Sequence, residues 1–134
     1  MKKVVINKKY GGFGLSPEAK AYFLSLKGKE SFFYKGTYLD EKSIYKKIDL
    51  KETNSFDFCT TTDQGEVVTT IKDLFLDYDI NREDSDLIKT VEDLGERANG
   101  RYSNLVIVEI PDVEYEIQEY DGYETVTNPI VKYG

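Results

Sequence analysis

Val4-Val5-Ile6-Asn7-Lys8-Lys9-Tyr10-Gly11-Gly12-Phe13-Gly14-Leu15-Ser16-Pro17 decides the fold, because it carries a strand, a turn and a helix start in direct succession. Val4, Val5 and Ile6 form a short β-branched run between charged flanks, which predicts a strand over Lys2 to Asn7. Ser16 offers a hydroxyl at an N-cap, and Pro17 occupies the first helical position, where a missing N–H costs nothing. Ala19, Tyr22, Phe23 and Leu26 then recur at helical spacing up to Gly28, a natural C-terminal stop. The spacing predicts a helix over residues 17–27.

Outward from this unit, residues 29–79 are rich in β formers such as Phe32, Phe33, Tyr34, Ile44, Tyr45 and Phe58. Turn formers at Lys35-Gly36, Asp40-Glu41, Thr53-Asn54-Ser55 and Asp63-Gln64-Gly65 divide them into several short antiparallel strands. Thr60 to Val67 reads as one hairpin turning at Asp63-Gln64-Gly65. A second helix is expected over residues 81–99, with Glu83, Asp84 and Asp86 at its positive end and Leu87, Ile88, Val91, Leu94 and Ala98 on one face. Leu105 to Ile110 reads as a buried strand stopped by Pro111, and Asp121-Gly122 as a tight turn into Tyr123 to Val126. A loosely held tail follows Asn128-Pro129. The order β, α, several β, α, β, hairpin predicts a single compact α+β domain over residues 1–134. In it an antiparallel or mixed β-sheet carries two amphipathic helices.

Composition narrows the functions. With 40% hydrophobic and 13% aromatic residues the chain has material for a core. A net charge of −7 repels DNA and RNA but leaves room for a small nucleotide held by local donors. Arg82, Arg97 and Arg101 are the only arginines. The chain has no histidine, which excludes Ser-His-Asp and Cys-His catalysis, and Cys59 is alone, which excludes an internal disulfide. Short apolar runs argue against a signal peptide or a membrane span and predict a cytosolic protein.

Two segments carry candidate ligand chemistry. A strand running through Gly11-Gly12-Phe13-Gly14 into a helix start can cradle an anion on backbone N–H groups. It matches neither a dinucleotide-binding nor a Walker pattern, and from spacing alone a tight strand-to-helix turn with Phe13 plugging the core is the favoured explanation. Asn99-Gly100-Arg101-Tyr102 places a guanidinium beside an aromatic ring, as phosphate and base recognition would require; the structural alternative is a helix C-cap. Acidic clusters at residues 83–86, 92–96 and 114–121 lack EF-hand spacing and read as solvated faces rather than metal ligands. Nothing calls for a cofactor, a metal or a catalytic residue, so the expectation is a binding protein and not an enzyme.

Three segments together resemble the Thoeris anti-defence sponge family of small phage-encoded proteins. They are Lys3 to Ser16, Asp86 to Tyr102, and Ile107-Val108-Glu109-Ile110-Pro111-Asp112 with Glu119-Tyr120-Asp121-Gly122. The resemblance implies sequestration of a cyclic ADP-ribose isomer made by bacterial TIR-domain immune enzymes, with cyclic oligonucleotides as further ligands. It also implies a homo-oligomer with ligand between subunits, in the cytosol of the infected host. Residues 29–76 and the tail after Val126 fall outside the likeness. Gly12, Phe13, Gly14, Leu15 and Ser16, with Asn99, Arg101 and Tyr102, are then the candidate ligand-binding residues. The alternative is an acidic decoy that binds a host defence protein directly. A carboxylate-dependent hydrolase is disfavoured by the missing histidine and metal ligands.

Overall fold

In the computed structural model, which describes residues 1–128 and the backbone of Lys132 and Tyr133, the first strand pairs with one near the far end of the chain. β1 (Lys2–Asn7) runs antiparallel to β6 (Leu105–Ile110), with Val5 opposite Ile107. Alternation along β1 sends its side chains two ways. Val5 enters a core with α1 (Pro17–Leu26) and α2 (Ser85–Leu94), through Ala19, Phe23, Leu24, Leu87, Val91 and Leu94. Val4 and Ile6 face the other way, onto Ile110 and Val126. Val126 belongs to β8 (Tyr123–Thr127), which pairs with β7 (Glu116–Tyr120). The β1–β6 pair is therefore sandwiched between helices and hairpin, and this explains its nearly continuous apolar run.

A further sheet closes the helical core from another side. Its order is β4 (Phe58–Thr60), β2 (Phe32–Leu39), β3 (Lys42–Ile48), β5 (Val67–Val68), antiparallel throughout. Phe33 and Cys59 bring it onto Phe23 and Leu24. The pairings are antiparallel in all sheets, so the fold is α+β without a parallel strand among the described residues.

The hairpin expected over Thr60–Val67 does not form. β4 and β5 lie on opposite edges of one sheet, and the chain between them crosses its end. The turn residues serve that crossing. Gly65 has φ +98°, and the buried Tyr34 hydroxyl donates to Gly65 O at 3.0 Å while accepting from Gln64 N at 2.9 Å. The second helix is also shorter than the expected span 81–99. Its N-cap is Asp84, whose carboxylate accepts from Asp86 N and Leu87 N. Gly95, at φ +58°, ends it, and one 3-10 turn (Gly95–Ala98) carries Ala98 into the core.

The first helix follows its signals closely. Ser16 Oγ accepts from Ala19 N, and Gly28 at φ +75° closes a Schellman motif in which Lys29 N donates to Leu24 O. β8 also pairs with β9 (Lys132–Tyr133) through the backbone. Residues 129–131 and 134, and most of the expected loose tail with them, lie outside the described residues. Among the described residues no helix is long and apolar enough to cross a membrane.

Candidate functional site

Backbone pairing brings the two candidate segments together. Gly100 N donates to Gly14 O, Ser16 N donates to Ala98 O, and Leu15 bridges Asn99, so Gly14–Ser16 and Ala98–Gly100 form a short antiparallel ladder. Ser103 Oγ reinforces it, donating to Gly14 O at 2.6 Å and accepting from Gly100 N at 2.7 Å. A third segment locks in behind. Gly11 N donates to Asp121 O, and Gly122 lies so near the Gly11–Gly12 peptide that any side chain there would collide with it. The glycines of these segments thus let three stretches of main chain touch.

The result is a cleft of about 210 Å³ lined by residues 11–15 and 100–103, and by Lys20, Ser55, Phe56 and Asp77. Along one wall the N–H groups of Gly12, Phe13 and Gly14 donate to no atom among the described residues. A Cβ on Gly12 would meet nothing within 4 Å, and one on Gly14 only Asp77 Oδ2 at 3.8 Å, so a ligand can approach this backbone closely. On the opposite side the Arg101 guanidinium lies 5.5 Å from the Phe56 ring centroid and 5.7 Å from that of Tyr102. The two rings are 5.8 Å apart and mutually tilted, and both are half-exposed or more. Arg101 N donates to Ser55 Oγ, which ties the Ser55–Phe56 turn to this loop. The arrangement offers what a phosphate next to a flat ring needs: unclaimed amides, a cation and aromatic faces.

Of the sequence candidates, Gly12, Phe13, Gly14, Arg101 and Tyr102 line the cleft. Leu15 lines it too, but its side chain is buried and its N–H already donates to Asp77 Oδ2 at 2.9 Å. Ser16 and Asn99 do not line it. Ser16 caps α1 and donates to Arg97 O, while the Asn99 side chain accepts from Leu105 N. The C-cap alternative holds in part: α2 ends at Leu94, but Asn99 caps the 3-10 turn that follows it, and Arg101 lies two residues beyond that cap. The Phe13 plug holds in part, since Phe13 packs against the helical core and the Arg82 guanidinium sits 3.6 Å over its ring. The turn reading of the glycine segment therefore describes a real feature of it.

Sequence reasoning missed Lys20, Ser55, Phe56 and Asp77. Lys20 alone left a legible signal: it stands beside Ala19 on the helix face that carries Phe23 and Leu24, where a charge is out of place. The others arrive by tertiary apposition. A second cleft, of about 440 Å³, shares Gly11, Gly12 and Phe13 and is lined by Tyr78, Arg82 and the carboxylates Glu119, Asp121 and Glu124. Cys59 is no nucleophile here, because burial pushes its thiol up to about 11. Among the described residues no group of Cys, Asp and Glu could hold a metal ion. Compared with family models, with curated proteins and with solved structures, the chain matches none.

Proposed function

We propose that this protein captures a small cyclic nucleotide of the cyclic ADP-ribose type in the cleft between the glycine segment and the Arg101 loop, and holds it unchanged. The carrying observation is the ladder between Gly14–Ser16 and Ala98–Gly100, which brings Gly12, Phe13 and Gly14, with their unclaimed N–H groups, into one cleft lining with Arg101, Phe56 and Tyr102. The likeness of these segments to the anti-defence sponges supports the same ligand class. The cleft's own volume, about 210 Å³, is below the ~300–1,000 Å³ usual for a whole small-molecule site. It therefore takes one end of a nucleotide. A second copy of the chain closing over the mouth would enclose the rest, in keeping with a homo-oligomeric sponge in the host cytosol.

Capture without turnover suits the chemistry present: the one thiol is buried and protonated, and the chain has no imidazole to act as a base. The test is chromatography of a cyclic ADP-ribose isomer before incubation with the protein, after it, and after heat release. Depletion in proportion to protein, followed by recovery of the same molecule, is expected. Linear ADP-ribose formed over many turnovers would overturn the reading in favour of a hydrolase. No depletion would overturn it in favour of an acidic decoy.

A further inference from the structure

Lys20 is 8% exposed, yet its ammonium makes no hydrogen bond or ion pair with any described residue. Lysines are almost never buried to this degree without a partner, because the charge loses hydration and gains nothing in return. No side-chain nitrogen or oxygen among the described residues is both sealed from solvent and unpaired, so the small exposed part of Lys20 includes its Nζ. Lys20 forms part of the wall of the cleft between the glycine segment and the Arg101 loop. That is where its head can meet water or a ligand. The helix gives it no freedom to leave, since Ala19 on one side and Phe23 and Leu24 on the next turn are all buried.

We infer that Lys20 is the anion anchor of the cleft, and that a phosphate or pyrophosphate group enters inward to it while the aromatic end of the ligand stays outward on Phe56 and Tyr102. This rests on the capture reading above and gives that ligand a direction. Gly12, Phe13 and Gly14, whose N–H groups donate to no described atom, line the same cleft as Lys20 and are the backbone donors available to the remaining phosphate oxygens. Phe56 and Tyr102, 60% and 50% exposed, stand at the open side. Asp77 sits within this lining, fixed by Leu15 N, and its carboxylate is the one negative charge an incoming anion must face. An unpaired cation confined to the cleft wall, beside unclaimed backbone N–H groups, is preorganisation for an anion rather than a packing device.

Calorimetric titration with inorganic pyrophosphate tests this, with melting temperature measured in parallel. Wild-type protein binds pyrophosphate, and Lys20→Met weakens that binding at least tenfold while leaving the melting temperature unchanged or raising it. Asp77→Asn keeps an acceptor for Leu15 N but removes the charge, and tightens pyrophosphate several-fold; this variant decides the matter if Lys20→Met fails to fold. Failure of the wild type to bind pyrophosphate, equal binding by Lys20→Met, or equal binding by Asp77→Asn would each overturn the assignment. The same titrations with a cyclic ADP-ribose isomer separate the two readings. Nucleotide binding indifferent to Lys20→Met overturns the anchor and leaves capture standing. Pyrophosphate binding that depends on Lys20, with no nucleotide bound, leaves the anchor and overturns capture.

Discussion

Gly11 and Gly14 lie three positions apart in one segment, yet a methyl group added to each meets different surroundings. At Gly11 the backbone is at φ +127°, and a Cβ would come within 2.7 Å of Tyr102 Cβ. Gly11→Ala therefore combines left-handed strain with a backbone-level clash, and is expected to cost about 2–4 kcal/mol, read as a lower urea midpoint. At Gly14 the backbone is unstrained and the nearest atom to an added Cβ is Asp77 Oδ2 at 3.8 Å. Gly14→Ala is expected to leave the midpoint within about 0.5 kcal/mol of wild type while weakening nucleotide binding, because the methyl stands where the ligand approaches. If Gly14→Ala bound nucleotide as well as wild type, the close approach to this backbone would be refuted. The sequence shows three glycines in four positions but not which are pressed against Tyr102 and Gly122. That distinction exists only once residues far apart in the chain are adjacent.

Local signals sufficed for elements whose ends are set by their own residues. Ser16, Pro17 and Gly28 bound α1 as their chemistry dictates, because a cap is satisfied within one turn. The crossing between β4 and β5 illustrates the limit: Asp63-Gln64-Gly65 has hairpin chemistry, but pairing partners are chosen by burial of Phe33, Tyr34 and Cys59, which no short window contains. Arg82 belongs to the same class. Sequence places it at the start of a helix; the structure gives it a bidentate pair with Glu124 of β8, at 2.6 and 2.9 Å, and a contact to Val5 O of β1. Glu124 Oε1 also accepts from Asn7 N at 2.8 Å. One ion pair thus joins β1, β8 and the approach to α2, and sets Arg82 over Phe13 in the glycine segment. Its members are nearly buried, with side-chain exposures of 16% and 8%. Glu124→Ala strands a guanidinium and a backbone donor together, so a loss of about 3–5 kcal/mol is expected. A double variant, Arg82→Met with Glu124→Leu, is expected to recover much of it, because two apolar side chains leave no orphaned charge. Equal losses in the single and double variants, measured by urea unfolding, would show that packing rather than charge carries the contact.

At the scale of the whole molecule the cleft is a cationic spot on an anionic protein. The net charge of −7 acts on an approaching nucleotide from far away, whereas Lys20 and Arg101 act only once it has reached the cleft. Salt separates the two ranges, since the Debye length falls from about 30 Å at 0.01 M ionic strength to about 8 Å at 0.15 M. Added salt should therefore remove the long-range repulsion first and leave the contacts made at short range within the cleft much less affected. The association rate of a cyclic ADP-ribose isomer is expected to rise several-fold over that interval, with a smaller rise in the dissociation rate. This is the reverse of a basic nucleic-acid binder, whose affinity falls steeply with salt as counterions are released. Rapid mixing followed by tyrosine fluorescence can read it, because the chain has no tryptophan and Tyr102 stands at the cleft. An association rate that fell with salt would mean that the ligand is steered by a local positive field. The acidic exterior would then play no part in the encounter.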